Sequence, residues 1–482
     1  MSSKYLRDSS YIDGKWFNSK SNRYFDVLNP ATGTILSRVN DIEPTDVELA
    51  IQAAERAFPS WSKMTSKERA SIMRRFYELI IENADELAAI LTQEQGKPLS
   101  EAKTEIIYGA SFIEWFSEEG KRLYGDIIPS PIANSKIIVE KSPVGVCAFI
   151  TPWNFPSAMI TRKIGAAMAA GCTCVVKPAH ETPLSALALA ALAEEAGVPK
   201  GVLNIVTGTD SHNIGRVLCD SEIVRKVSFT GSTDVGKILY RQCAATVKKI
   251  SLELGGNAPF IVFPDADLDA AVSGAIICKY RNAGQTCVCA NRFYIHEDVY
   301  DKFASKLADK VRKLKVGDGL DKGVDIGPLI TPDALEKVRS HINDALGQGA
   351  KLIEGGDTHD LGGSYFKPTI LGNAMEGMLI AKEETFGPVA PLFKFKDIDD
   401  VLRQANNTQF GLAAYFYAKD LALINKVYNG LEYGMVAVNT PILSTEVAPF
   451  GGVKESGIGR EGSKYGLDDF IELKYVLLGG LE

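Results

Sequence analysis

From Val144 onward, short apolar runs alternate with helical segments, and this pattern restricts the possible folds more than any other feature of the chain. Such alternation favours a mostly parallel sheet with helices packed on its faces. We therefore predict an α/β, Rossmann-like layout across roughly residues 144–253. The predicted strands are Val146–Ile150, Cys172–Lys177, Val202–Val206, Val224–Phe229 and Lys249–Leu252.

A second alternating set follows the Gly255-Gly256 step. Apolar runs predict strands at Phe260–Phe263 and Phe293–His296, and helical periodicity predicts helices at Leu268–Tyr280 and Val299–Leu314. Before Val144 we expect short strands to about residue 44, then helices to Leu123, then an extended segment over Asp126–Lys141. The tail Phe470–Leu478 alternates like a strand, and we expect it to pair with that extended segment, in this subunit or another.

Length and charge narrow the class of protein. A chain of 482 residues is too long for one simple core, so two or three domains are expected. Its net charge of -7 argues against a nucleic-acid or anionic membrane partner. The first residues lack an apolar signal core, and the longest apolar run, Ile164–Val176, is too short to span a bilayer. We therefore expect a cytoplasmic protein.

The cysteines favour a reducing compartment and no metal. Eight cysteines are scattered through apolar segments, unlike a disulfide scaffold. The chain has two C-x-C pairs but no second pair at zinc-site spacing, and only five histidines. A structural metal site is therefore not predicted.

The stretch RNAGQTCVCANR, residues 281–292, is the main candidate for chemistry. It places Cys287 and Cys289 after a flexible Ala283-Gly284 step, among small and polar neighbours that suit the close approach of a substrate. A free cysteine is more commonly a small buried hydrophobe. On this stretch alone, a nucleophile and a core residue remain equally acceptable interpretations.

Polar residues at predicted strand ends supply possible partners, since α/β folds bind ligands at these ends. Asn154 could donate to an oxyanion or cap the next helix, and Lys177 could reach a ribose or phosphate or be solvated. The loop 229–236 leads into a helix whose first amides favour a phosphate, although its glycine spacing is a weak signal. Glu253 stands on a glycine hinge, as a base or as an inter-domain acid.

Together these residues describe the oxidation of an aldehyde. The thiolate of Cys287 adds to the carbonyl, and Asn154 with a backbone N–H stabilises the oxyanion. A hydride then leaves for a nicotinamide, and Glu253 activates the water that hydrolyses the thioester. A cysteine suits this role because its thiolate is a strong nucleophile and its pKa can be lowered locally.

A set of short motifs is spread along almost the whole chain: NPATG, TPWNFP, KPA, FTGST, SLELGGNAP, GQTC, EETFGP and FGGVKESGIGREG. In sequence and separation these motifs resemble the aldehyde dehydrogenase superfamily. The resemblance implies an α/β subunit with a Rossmann-like dinucleotide-binding domain (1–122 and 144–254), an α/β catalytic domain (255–445) and a small β oligomerisation flap (123–143 and 463–482). It also implies a homodimer or homotetramer.

The resemblance assigns roles residue by residue. It implies that Cys287 is the nucleophile, Glu253 the general base and Asn154 the oxyanion donor. It also places Glu384 on the nicotinamide ribose. The full set implied to contact the cofactor is Trp153, Lys177, Gly231, Ser232, Glu384 and Phe386.

The surroundings of Cys287 indicate the type of aldehyde. Arg281 precedes Cys287 by six residues and Arg162 follows Asn154 by eight, so two guanidiniums could bind a substrate carboxylate, with Ser444 adding a hydroxyl. Surface ion pairs are the alternative for both arginines. The segments around these residues resemble succinate-semialdehyde dehydrogenases, which implies succinate semialdehyde as substrate and a role in GABA degradation. Glutarate semialdehyde or another small aldehyde remains the alternative.

Two rival functions stay open at this stage. A CoA-acylating relative would transfer the acyl group from the thioester to CoA, but Glu253 in a water-activating position argues against it. A non-catalytic protein on the same scaffold is disfavoured because Cys287, Glu253 and Asn154 are all present.

The choice between NAD and NADP depends on position 180. The family often places a glutamate there, which binds both ribose hydroxyls and repels a 2′-phosphate. This chain has His180, which does not exclude the phosphate, and Lys177 could pair with it. We expect NADP to be preferred and NAD to be tolerated.

Cys289 has two interpretations. It is either a residue at the start of a strand without a redox role, or, as the resembling enzymes suggest, a partner that forms a regulatory disulfide with Cys287 under oxidation. Residues two apart in an extended chain lie near the upper Cα separation for a disulfide, about 6.8 Å. The bond would therefore need a bent loop and would be easily reduced.

Overall fold

A computed structural model describes residues 3–481. The chain begins with two short hairpins and four helices: β1 Ser10–Ile12, β2 Lys15–Phe17, β3 Tyr24–Leu28, β4 Ile35–Asn40, α1 Pro44–Lys63, α2 Ser66–Glu82, α3 Ala84–Gln95 and α4 Leu99–Glu119. The predicted helix that was to reach Leu123 ends earlier, because Gly120–Arg122 tightens into a 3₁₀ turn. An extended pair follows, β5 Asp126–Ile128 and β6 Lys136–Pro143.

The first alternating unit is formed as predicted. Its elements are β7 Val146–Ile150, α5 Ala158–Ala170, β8 Thr173–Lys177, α6 Pro183–Glu195, β9 Leu203–Ile205, α7 Ser211–Asp220, β10 Val224–Thr230, α8 Thr233–Ala244 and β11 Lys249–Glu253. These five strands are parallel and form the middle of an eight-stranded sheet. Its order is β19-β11-β10-β7-β8-β9-β1-β2, where β19 is the short strand Gly457–Ile458. All five residues of β8 are buried, as expected of a parallel strand covered on both faces.

The second unit is built in the same way. It comprises β12 Ala258–Val262, α9 Leu268–Tyr280, β13 Ala290–His296, α10 Tyr300–Val311, α11 Pro332–Gly347, β14 Lys351–Glu354, β15 Thr369–Gly372, α12 Leu379–Lys382, β16 Val389–Phe395, α13 Ile398–Asn406, β17 Ala413–Tyr417, α14 Leu421–Gly430 and β18 Met435–Val438. Its sheet has the order β14-β15-β16-β13-β12-β17-β18, and only the edge strand β14 is antiparallel. The prediction of an α/β fold is confirmed.

The C-terminal segment joins two different sheets. A two-residue strand, β19 Gly457–Ile458, pairs with β11 at the edge of the first sheet. The last strand, β20 Ile471–Leu478, pairs antiparallel with β6 along its whole length, and β5 completes this three-stranded sheet. The predicted pairing of the tail is therefore confirmed, and it occurs within one chain. The division into domains stays a prediction.

The connection from α9 to β13 determines where Cys287 lies. The strand begins at Ala290, three residues earlier than predicted, so the Cys287–Cys289 segment is compressed between a helix end and a strand start. Asn282, Ala283 and Gly284 all have left-handed backbone angles there, with φ of 51°, 54° and 77°. A side chain at Gly284 would lie 2.2 Å from the carbonyl oxygen of Gly387, so this position requires glycine.

Candidate active site

The predicted residues converge at the ends of parallel strands from both sheets. Asn154 follows β7, Glu253 is the last residue of β11, and Cys287 lies before β13. A cavity of about 400 Å³ adjoins Cys287. Its walls include Cys287, Arg162, Arg281 and Ser444, which were predicted from the sequence, and Tyr108, Phe155, Met159, Tyr415, Leu443 and Phe450, which were not.

Cys287 lies in a turn that presents its thiol to this cavity. The backbone N–H of Cys289 donates to the carbonyl of Thr286 at 3.0 Å, which closes the turn around Cys287 and Val288. Cys287 is only partly buried, whereas Val288 and Cys289 beside it are buried. The loop is thus bent, and Cys287 both lines the cavity and packs against the core of the second unit.

Opposing influences act on the thiol of Cys287. Packing of protein atoms around the sulfur and the negative charge of Glu384 raise the pKa of Cys287 to about 12, while Arg162 lowers it. The physical reason is that desolvation of the thiolate outweighs the favourable arginine charges.

The side chain of Asn154 hydrogen-bonds to the loop that carries Cys287 and does not cap a helix. Its side-chain amide donates to the carbonyl of Gln285 at 3.1 Å, two residues before the nucleophile. The amides at the start of α5, from Ser157 and Ala158, donate instead to Oε1 of Glu105, at 3.0 and 3.2 Å. The helix-cap interpretation of Asn154 is therefore wrong, and its amide points toward the Cys287 loop.

Glu253 is a buried carboxylate with an unsatisfied oxygen. It is 4% exposed, and its Oε2 makes no hydrogen bond with the described residues. Burial and the nearby charge of Glu461 raise the pKa of Glu253 well above its ordinary value, and Arg162 and Lys163 oppose this rise. A carboxylate with a raised pKa is suited to accept a proton near neutral pH.

Arg162 is buried and lies beside the carboxylate of Glu461. Its guanidinium is buried, lies 3.9 Å from the ring centroid of Phe450, and has Nη2 2.9 Å from Oε2 of Glu461. Yet Nε and Nη2 make no hydrogen bond with residues 3–481, because the pair is close but poorly aligned. The surface ion-pair interpretation is wrong for Arg162, which keeps two buried donors for a ligand.

Arg281 shares the cavity without a counter-ion. Among residues 3–481, no carboxylate oxygen lies within 4.0 Å of its guanidinium nitrogens, and its nearest aromatic contact is Phe155, with 5.6 Å between guanidinium carbon and ring centroid. Ser444 lies on the opposite loop and lines the same cavity. A half-buried guanidinium without a partner beside a thiol is a site for an anion.

Two residues that the sequence analysis missed hold the others in place. Glu461 pairs with Arg162 and also accepts from the ammonium of Lys163, and it lies inside the quoted GREG motif without any signal of a role. Lys97 donates to the main-chain carbonyl of Asn154 at 2.7 Å. Neither contact leaves a local pattern in the sequence, since each joins distant segments.

A group of predicted cofactor residues lies together at the other side of Cys287. The rings of Trp153 and Phe386 are 5.6 Å apart between centroids and nearly perpendicular. Phe386 has a left-handed backbone angle, φ 54°. Oε1 of Glu384 accepts from the N–H of Gly256 at 3.3 Å, and burial raises the pKa of Glu384 to about 7.

The residues of the first sheet fit a phosphate-bearing nucleotide. Lys177, at the end of β8, is buried rather than solvated, donates to the hydroxyl of Ser211 at 3.0 Å, and has its pKa lowered to about 8 by burial. Gly231 and Ser232 lead into α8, where Ser232 caps the helix by accepting from the N–H of Val235. A buried cation and a helix N-terminus both favour a phosphate. His180 is exposed and lies 3.4 Å from Glu181.

Cys289 is buried and its thiol is engaged away from Cys287. The thiol donates to the carbonyls of Lys279 and Ala290, each at 3.6 Å. All eight cysteines are free thiols in this structure. The pairing of Cys287 with Cys289 stays a prediction, although the bent loop it needs is present.

Residues 3–481 contain no helix that is long and apolar enough to cross a membrane. No group of three or more His, Cys, Asp and Glu side chains in that range is arranged to hold a metal ion.

Comparison with known proteins places this geometry in context. The model of the aldehyde dehydrogenase family matches residues 16–476. The chain is 58% identical over 477 residues to an NADP(+) succinate-semialdehyde dehydrogenase of Escherichia coli, covering 99% of both chains. It is 57% identical over 478 residues to a glutarate-semialdehyde dehydrogenase of Pseudomonas aeruginosa, again covering 99% of both. A solved NADP-dependent enzyme of E. coli superposes with a TM-score of 0.98 at 57% identity, covering 98% of both chains.

Proposed function

The chain belongs to the aldehyde dehydrogenase family, and from this premise we propose that it oxidises succinate semialdehyde to succinate, with NADP preferred and NAD tolerated. The observation that carries the choice of substrate is Arg281. Within the part of the chain that the structure describes, its guanidinium has no carboxylate partner, and it shares a small cavity with the nucleophile. A four-carbon aldehyde that ends in a carboxylate supplies the missing anion.

The first half of the reaction belongs to Cys287 and Asn154. The sulfur of Cys287 attacks the aldehyde carbon once its proton has been removed, and the amide of Asn154 donates to the developing oxyanion. Asn154 is already aimed at the Cys287 loop through its bond to the Gln285 carbonyl. Arg281 and Arg162 hold the distal carboxylate of the substrate, and Ser444 adds a hydroxyl.

The cofactor, when bound, supplies the acceptor for the hydride that leaves the tetrahedral adduct. Lys177 and the first amides of α8, after Gly231 and Ser232, would hold its phosphates and ribose. Glu384 would bind the nicotinamide ribose, and Trp153 with Phe386 would flank the ring. His180 in place of an acidic residue supports NADP, and the E. coli relative is named for the same cofactor.

The second half belongs to Glu253. Loss of the hydride leaves a thioester on Cys287, and the carboxylate of Glu253 takes a proton from the water that attacks its carbonyl carbon. Collapse of that adduct breaks the bond between carbon and sulfur, which releases succinate and leaves Cys287 as a free thiolate. The raised pKa of Glu253 supports this role, because a stronger base removes the proton of water more readily.

Glutarate semialdehyde is the second candidate substrate. It has one more methylene and the same terminal carboxylate, and the cavity of about 400 Å³ has apolar walls at Met159 and Leu443 that suit the longer chain. The relative from P. aeruginosa is named for this substrate. We further propose a cytoplasmic homodimer or homotetramer that acts in GABA degradation.

One assay tests the function. The purified protein is mixed with succinate semialdehyde, glutarate semialdehyde or butanal, with NADP or NAD, and with or without CoA, and reduced cofactor is followed. We expect kcat/KM to be highest with succinate semialdehyde and NADP, and CoA to have no effect. A preference for butanal would contradict the carboxylate site, a preference for NAD would contradict the cofactor assignment, and dependence on CoA would contradict hydrolysis by Glu253.

A further inference from the structure

Lys97 and Glu105 form an ion pair inside the protein. Nζ of Lys97 lies 2.6 Å from Oε2 of Glu105, and the two side chains are 1% and 0% exposed. Lys97 lies in the loop between α3 and α4, and Glu105 lies two turns into α4. A buried ion pair often stabilises a protein no more than apolar residues of the same size would. The presence of this pair therefore suggests a role other than stability.

The pair holds both ends of one short segment, Asn154–Ala158. Lys97 Nζ donates to the main-chain carbonyl of Asn154 at 2.7 Å. The other carboxylate oxygen of Glu105 accepts from the N–H groups of Ser157 and Ala158. Between these contacts lies Phe155, whose ring centroid is 3.7 Å from the Lys97 ammonium. The carbonyl of the oxyanion donor and the start of α5 are thus bound to one another through two charged side chains.

The same carbonyl is also bound from the Cys287 loop. Nδ2 of Asn282 donates to the carbonyl of Asn154 at 3.1 Å, and Asn282 and Asn154 both donate to the carbonyl of Gln285. Lys97 is therefore the link from α3 and α4 to a network that joins the oxyanion donor to the loop of the nucleophile. An amide that must be aimed at one point in space depends on such support.

We propose that Lys97, paired with Glu105, is a positioning residue that fixes the amide of Asn154 relative to Cys287. The proposal rests on the role of Asn154 in the proposed function. Glu105 is among the residues that line the cavity and Lys97 is not, and neither is assigned a contact with the reacting atoms. Lys97 acts on the rate of the chemical step through Asn154, with little effect on how tightly the carboxylate of the substrate binds.

The test is a double-mutant cycle in the full-length enzyme. K97M/E105Q removes both charges together, so no buried charge is left unpaired, and the amide oxygen of the new glutamine can still accept from Ser157 and Ala158. K97M/E105Q is compared with wild type, and K97M/E105Q/N154A with N154A. A displacement of about 1 Å at a catalytic group can lower the rate by about 100-fold. We expect kcat with succinate semialdehyde to fall about 10- to 100-fold in K97M/E105Q and KM to stay within about two-fold.

The decisive comparison is in the background that lacks the amide. If Lys97 acts through Asn154, adding K97M/E105Q to N154A changes kcat by less than about two-fold, because residues that act as a unit are not additive. An equal fold-loss in both backgrounds overturns the proposal and leaves the role of Asn154 intact. A wild-type kcat in N154A overturns both the proposal and the proposed role of Asn154.

A second variant separates positioning from loss of a buried charge. K226M removes another buried lysine, in β10, whose ammonium lies 3.8 Å from Asp469 and makes no hydrogen bond with any residue from 3 to 481. We expect K226M to keep kcat within about two-fold of wild type. If circular dichroism shows that K97M/E105Q is unfolded, the cycle is repeated with E105Q, which removes the carboxylate that pairs with Lys97. The same loss of kcat and the same lack of additivity with N154A are expected for E105Q. An additive result with E105Q overturns the proposal in the same way.

Discussion

Nη2 of Arg162 lies 2.9 Å from Oε2 of Glu461, close enough for an ion pair but without the alignment of a hydrogen bond. The other oxygen of Glu461 accepts from the ammonium of Lys163. One buried carboxylate therefore sits between two cations and near the proposed base Glu253, whose pKa it raises. Glu461 thus connects the charge of the substrate-binding arginine to that of the base.

The variant E461Q should shift the pH profile of the enzyme to lower pH. Removing the negative charge ends the repulsion of ionised Glu253 and leaves the Arg162 and Lys163 charges uncompensated, so the pKa of Glu253 falls. The base must be ionised to act, so activity is lost as pH falls through that pKa. We expect the acid limb of kcat to move down by about one pH unit. E472Q, on the exposed last strand, is the control, and an upward shift in E461Q would contradict the coupling.

The variant R281A should separate charged from uncharged substrates. Loss of the guanidinium removes the cation that pairs with the substrate carboxylate, and a hydrogen-bonded contact to a charged group is worth about 2 kcal/mol, or roughly 30-fold in affinity. We expect KM for succinate semialdehyde to rise about 30-fold and KM for butanal to stay within about two-fold. R312A, an exposed arginine paired with Glu354, serves as the control. Equal losses on both aldehydes would show that Arg281 does not bind the carboxylate.

The variant C289A should change how the enzyme recovers from peroxide. If Cys287 and Cys289 form a disulfide, two thiols are oxidised by one peroxide, and dithiothreitol restores wild-type activity. Without Cys289, the sulfur of Cys287 is oxidised further to forms that thiols do not reduce. We expect C289A to have normal starting activity but poor recovery, with C219A behaving as wild type. Full recovery of C289A would exclude the disulfide.

The double variant L473D/Y475D should separate the subunits. Leu473 and Tyr475 lie on one face of β20 and are 67% and 62% exposed, unusual for large apolar side chains on a paired strand. We expect the molar mass measured by light scattering to fall from that of an oligomer to that of a single chain, 52.2 kDa. Deleting residues 470–482 is a less clean test, because Phe470 and Ile471 are buried in the core. An unchanged mass would show that this sheet is not the interface.

Predictions from local pattern were confirmed where one segment determines its own structure. The helix Leu268–Tyr280 has the predicted bounds, and the strands ending near Lys177 and Glu253 lie where their apolar runs ended. Trp153 and Phe386, both predicted near the cofactor, are in contact. The interpretation of Lys177 as a solvated residue was wrong because strand ends in this sheet are covered by later loops and helices, which the strand itself cannot reveal.

The α/β fold and the residue types at the site follow from the sequence alone, because hydrophobic periodicity and the motifs around Cys287, Glu253 and Asn154 are local properties of the chain. Which groups share a charge environment depends instead on how distant segments pack together. Lys97 and Asn154 are 57 positions apart and Lys163 and Glu461 are 298 apart, and no local pattern encodes such contacts. The raised pKa of Cys287 follows for the same reason, since desolvation depends on every segment packed around the sulfur rather than on its neighbours in sequence.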